Sequence, residues 1–131
     1  MRRRVLALAV ALALGAGLYA QTAAKKTVKL SGYLLDAMCA TGHDADDLVE
    51  EVRQHAVSCA LMESCVKSGF VVVVPEEAKV YKLDEKSRKM TVQVLKNTRV
   101  RQGMYVEVEG TLEGDTVRVE RIVEAADKTA M

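Results

Sequence analysis

Three cysteines and a histidine, Cys39, His55, Cys59 and Cys65, fall within 27 positions of a 131-residue chain. Thiolate and imidazole are ligands that zinc favours, thiolates also suit copper(I), and thiols oxidise in pairs to disulfides, so the cluster admits two chemistries. For a metal, the step of four from His55 to Cys59 would place both side chains on one face of a continuous helix, with Cys39 and Cys65 approaching from either side. That set is chemically complete for zinc. With Met38 and Met62 beside it in sequence, it would also suit copper(I), although both methionines are equally natural core filler. The spacing lacks the Cys-x2-Cys pairs of zinc ribbons, and there is no CxxCH haem-attachment motif.

For a disulfide, helix geometry limits the pairing. If Cys59 and Cys65 share one unbroken helix, six residues of rise separate them by about 9 Å, beyond the roughly 7 Å that a bridge spans. Cys39 is then the expected partner of Cys59 or Cys65, and the bridge would contribute about 3 kcal/mol by closing a loop in the unfolded chain. Thiol redox chemistry is a third reading, with His55 lowering the pKa of Cys59, but no CxxC supports it. Asp36, in the spacing Asp36-x-x-Cys39, is expected to cap a turn or to hydrogen-bond His55 from behind. His43, beside Gly42, is expected in an exposed loop.

The chain opens as an export signal does. Arg2, Arg3 and Arg4 precede an apolar run from Val5 to Leu18, with small residues at a cleavage point after Ala20 or as late as Ala24. The run is too short and alanine-rich for a stable anchor, which needs about 20 apolar residues. The expected destination is the bacterial periplasm or exterior, where disulfides persist. Removing the three arginines leaves 16 basic against 18 acidic residues, a net charge of −2. That balance, with few aromatics for base stacking, argues against nucleic acid as a partner.

About 110 residues then remain, enough for one core. We expect a flexible segment over 21–26, one domain over 27–124 and a frayed tail over 125–131. Val28 and Leu30 alternate with Lys29 and Ser31, the period of a half-buried strand extending through Leu35. From Thr41 to Gly69, Leu48, Val52, Ala56, Cys59, Met62 and Val66 recur at helical spacing, with Asp44 and Asp47 as starters, Gly69 as a stop and a possible break near Val57. Phe70 to Val74 is an apolar run ended by Pro75, the pattern of a strand buried on both faces. Further strands are expected at 79–83, 90–95, 104–112 and 116–123, the last two joined by a turn at Glu113-Gly114-Asp115. Lys86, Arg88, Lys89, Lys96, Arg99 and Arg101 would gather as a solvated face around one hairpin. Five or six antiparallel strands with a helical insertion after the first suggest an α+β, mainly β chain: a small, partly open barrel of the OB type.

The stretch Ser31 to Cys39, the run His55-x3-Cys59-x5-Cys65-x3-Gly69, Tyr81 to Asp84 and the valine-rich hairpin from Val106 to Val119 together resemble small exported bacterial proteins of unknown function with an OB-like barrel. The resemblance implies a fold and a compartment, and no activity. No serine–histidine–acid set, phosphate loop or supported carboxylate pair is present. The leading expectation is a non-enzymatic exported domain, its helical insertion pinned by a disulfide, binding an unidentified protein or small ligand. The alternative is a zinc or copper module built on Cys39, His55, Cys59 and Cys65.

Overall fold

The computed structural model describes residues 25–129. The segment expected to act as an export signal lies outside them. The first strand, β1 (Lys26–Asp36), is long because it serves two neighbours. Lys26 to Tyr33 pair with β4 (Tyr105–Glu113), and Tyr33 to Asp36 pair with β2 (Phe70–Val74), both antiparallel. Gly32 makes the switch possible, since a Cβ there would lie 2.3 Å from the Val73 carbonyl oxygen.

β2 continues antiparallel into β3 (Lys79–Leu83), and β4 into β5 (Thr116–Glu124), with an irregularity between Glu109 and Gly110. A short parallel pairing of Lys82 with Thr116 and Leu83 with Val117 completes the ring. The strand order β1-β2-β3-β5-β4 closes on itself, so the expected OB-like barrel is present, and it is closed rather than partly open. Asp84 extends the closure: its N–H donates to Val117 O at 3.0 Å and its Oδ1 accepts from Val119 N at 3.0 Å.

Between β1 and β2 run four helices, α1 (Ala37–Ala40), α2 (Ala45–Gln54), α3 (Val57–Ala60) and α4 (Glu63–Ser68). Asp44 caps α2 through Asp47 N, and Gly69, at a φ of 89° that favours glycine, ends α4. β2 is buried on both faces because it stands between two cores. Phe70, Val72 and Val74 point into the barrel, while Val71 and Val73 form a second core with Tyr33, Leu35, Leu48 and Val52. Leu48 and Val52, four apart on α2, are its buried ridge, so α2 lies outside the barrel against β1 and β2.

Two expectations fail here. The segment expected as a strand at 90–95 is helical, α5 (Arg88–Asn97). Because β3 and β5 pair directly, the ring has no place for a sixth strand, and the crossover becomes a helix that buries Thr91 and Leu95, four apart. Leu95 joins the barrel core, and Thr91 Oγ1 donates back to Ser87 O at 3.1 Å. The basic residues at 86–101 therefore lie on α5 and its flanks, not around a hairpin.

The apolar stripe expected from Leu48 to Val66 is also broken. The chain leaves the helix at His55 and again at Leu61–Met62, and each break resets the phase. Val57, Ala60 and Cys65 turn inward, while Cys59 and Met62 turn to solvent. Among the described residues no helix is long and apolar enough to cross a membrane. Beyond β5 the backbone is still held, by Ala125 N donating to Tyr105 O at 2.9 Å.

Candidate functional site

The site sits where β1 ends. Asp36, the last residue of the strand, is fully buried, and its backbone is extended as the N-cap of α1. Its Oδ1 accepts the Cys39 N–H at 3.0 Å, the capping that the spacing Asp36-x-x-Cys39 suggested. Its Oδ2 lies 3.1 Å from His55 Nε2. One buried carboxylate thus holds a helix start and an imidazole.

His55 reaches Asp36 because a separate segment pins the end of α2. Its N–H donates to Val52 O at 3.2 Å, and its carbonyl accepts from Gly103 N at 3.0 Å. Ala56 bridges to Gln102, and Val57 N donates to Arg101 O at 2.9 Å. Gly103 has a φ of 64°, and a Cβ on it would lie 2.5 Å from the Arg53 carbonyl oxygen, so only glycine lets this segment approach.

Cys39 is placed from the other side. α1 packs on α4, with Ala37 N donating to Gly69 O at 2.9 Å and Met38 N to Ser68 Oγ at 3.0 Å. A carboxylate oxygen of Asp36, Cys39 Sγ and a ring nitrogen of His55 all lie within 4.8 Å of one another. Burial, then the charge of Asp36 and a hydrogen bond to it, push the Cys39 thiol up to about 11, with smaller repulsions from Cys65 and Cys59.

Of the four residues expected to converge, Cys39 and His55 do, and Asp36 joins them; Cys59 and Cys65 stand outside that group. All three cysteines are free thiols, so the expected staple between Cys39 and Cys59 or Cys65 is absent from this structure. The reasoning that set Cys59 and Cys65 on one helix fails as well, since the break at Leu61–Met62 separates α3 from α4. Met38 and Met62 are 52% and 55% exposed, which removes them from the core. His43 is exposed, as expected, and lies 3.5 Å from Glu51.

Chemically, the group offers one oxygen, one sulfur and one nitrogen ligand. Ligands around a tetrahedral zinc ion at 2.0–2.3 Å stand about 3.3–3.8 Å apart, so a set already within 4.8 Å needs only small side-chain shifts to close on a cation. A wide cleft of about 570 Å³ borders the group at His55 alone, and Cys59, Asp47, Glu50 and Glu51 also line it. Comparisons with family models, curated proteins and solved structures find nothing that matches this chain.

Proposed function

We propose that this chain is an exported metal-binding module that takes zinc through Asp36, Cys39 and His55. The observation that carries the reading is the mutual approach of three different ligand atoms within 4.8 Å around a carboxylate with no solvent exposure. The oxygen donor favours zinc over copper(I), whose soft character prefers sulfur, and the exposed methionines are not part of the group. Without a cation, burial and then the charge of Asp36 disfavour the Cys39 thiolate; a bound dication would oppose both and stabilise it. Either Asp36 is itself a ligand, or it orients His55 while the other ring nitrogen binds, the arrangement common behind metal-bound histidines.

Zinc titration of the reduced chain, with elemental analysis after gel filtration, tests the reading. One zinc per chain is expected, with affinity falling at least about tenfold in Cys39→Ser and in His55→Ala. Substoichiometric zinc, or binding indifferent to both substitutions, would remove it.

A further inference from the structure

Charge is unevenly spread along this chain. From Lys86 to Val106 the sequence carries six basic residues and no acidic one, whereas the rest of the chain from Gln21 onward holds 10 basic against 18 acidic residues, a net charge of −8. The fold turns that segregation into a surface. Thr91 and Leu95 take the inner side of α5, which leaves Lys89, Met90 and Lys96 on its solvent side, with Lys86 just before the helix and Arg99 and Arg101 just after it. Lys89 and Lys96 stand about two turns, or about 10 Å, apart along one side of the helix. Among the described residues Lys86, Lys89, Lys96, Arg99 and Arg101 form no ion pair. The acids that border the face are engaged: Glu85 lies 3.7 Å from Arg88, and Glu124 accepts from Thr98 Oγ1 at 2.8 Å. The same segment also exposes apolar side chains, Met90 at 40% and Val100 at 39%, two of the four large hydrophobic residues so exposed among the described residues.

We propose that α5 and its flanks are the surface by which this protein lies against an anionic phospholipid membrane. The unpaired cations select an anionic partner, since each lysine or arginine held near an anionic leaflet multiplies partitioning about fivefold. The exposed apolar groups select a bilayer among anionic partners. Met90 enters the headgroup region beside Lys89, while the lysine stems lie along it and keep their ammonium groups at the phosphates. A single-stranded nucleic acid would want aromatic rings to stack on, and residues 86–104 contain none. The acidic remainder of the chain is repelled by the same leaflet, so the molecule is oriented with α5 toward the lipid. With α5 only ten residues long and packed on the barrel through Leu95, the contact is peripheral and reversed by salt.

Co-sedimentation with vesicles tests this, using the chain from Gln21 onward, which keeps every strand and helix of the barrel. Binding is expected to vesicles of equal parts phosphatidylglycerol and phosphatidylcholine at low salt, to be lost at high salt, and to be absent with phosphatidylcholine alone. Lys89→Gln with Lys96→Gln should weaken binding at least about tenfold. Lys26→Gln with Lys79→Gln removes the same charge from exposed positions outside the face and should change binding less than about threefold. Met90→Ser, at unchanged charge, should weaken it about threefold. All five substitutions replace exposed side chains, and circular dichroism checks that the variants fold. No binding by the parent, equal binding to both kinds of vesicle, or equal losses in the two lysine pairs overturns the proposal. Binding unaffected by Met90→Ser overturns the bilayer as occupant and leaves the face to a soluble acidic partner.

Discussion

The carboxylate of Asp36 lies 3.1 Å from His55 Nε2, across 19 residues of chain and with no solvent access to the acid. The same side chain caps α1 through Cys39 N, so it ties the end of β1 to both sides of the site. Removing it strands two polar partners. Asp36→Ala is expected to destabilise the fold by about 2–4 kcal/mol, combining a lost cap with a lost hydrogen bond to a charged group. Asp36→Asn, which keeps a carbonyl oxygen for Cys39 N, should cost less. Urea denaturation at constant slope measures both; equal stability of Asp36→Ala and the parent would show that the pair is not structural.

Cys39 should be the slow thiol. At pH 8 a group raised from its ordinary 9.0 to about 11 exposes about a hundredfold less thiolate, and alkylation follows the thiolate. Timed iodoacetamide labelling of the metal-free, reduced chain, read by peptide mass, is expected to modify exposed Cys59 well before Cys39. Burial is the largest cause of the shift and persists in Asp36→Asn, but the acid's charge does not. That variant should therefore label faster at Cys39 without matching Cys59.

Tyr33 is the junction where β1 changes partners, pairing with both Val73 and Tyr105. Its hydroxyl donates to Asp127, accepts from Arg53 Nε at 3.4 Å, and its ring meets Tyr105 edge-on with centroids 5.0 Å apart. Burial, with Asp127 adding to it and Arg53 opposing, raises the phenol above its ordinary 10.0. In the pH window between that value and the folded one, the unfolded chain releases a proton that the folded chain keeps. Stability attached to Tyr33 is thus fully present below pH 10 and is lost as pH rises through the window. Asp127→Asn should lower the folded phenol and narrow the window. Absorbance titration at alkaline pH, with denaturation midpoints below and within the window, decides it, and an unmoved phenol would exclude the contact with Asp127.

The barrel was legible because its strands alternate or run apolar over lengths that only strands explain. Phe70 to Val74 and Lys79 to Leu83 fall where the pattern places them. The crossover was not, since Thr91, Val92 and Val94 favour a strand locally and only the direct pairing of β3 with β5 denies them a partner. In the site, Asp36-x-x-Cys39 signalled a cap, and the cap is there. The approach of His55 to Asp36 could be entertained but not fixed, because it depends on Gly103, 48 positions further on, which no local pattern connects to the end of α2. The break near Val57 was legible and is present, held by the pairing of Ala56 with Gln102, but Cys59 was misplaced because the apolar period was carried on across it and across a second break at Leu61–Met62 that no residue type announces.

Gly103 offers the sharpest test of that long-range control. Its N–H holds the His55 carbonyl at 3.0 Å, its φ of 64° strains any side chain, and a Cβ would lie 2.5 Å from the Arg53 carbonyl oxygen. The contact is backbone against backbone, so no flexible side chain can yield. Gly103→Ala must push the 101–103 segment from α2, move His55 off Asp36, or both, at an expected cost of about 1–3 kcal/mol. Zinc affinity of the folded variant should fall together with stability, whereas Gly114→Ala, at a φ of 65° in the β4–β5 turn, where a Cβ would meet nothing within 4 Å, should carry backbone strain without touching the site. If both variants lose stability but only Gly103→Ala loses zinc, the positioning of His55 by this glycine is established; equal retention of zinc would refute it.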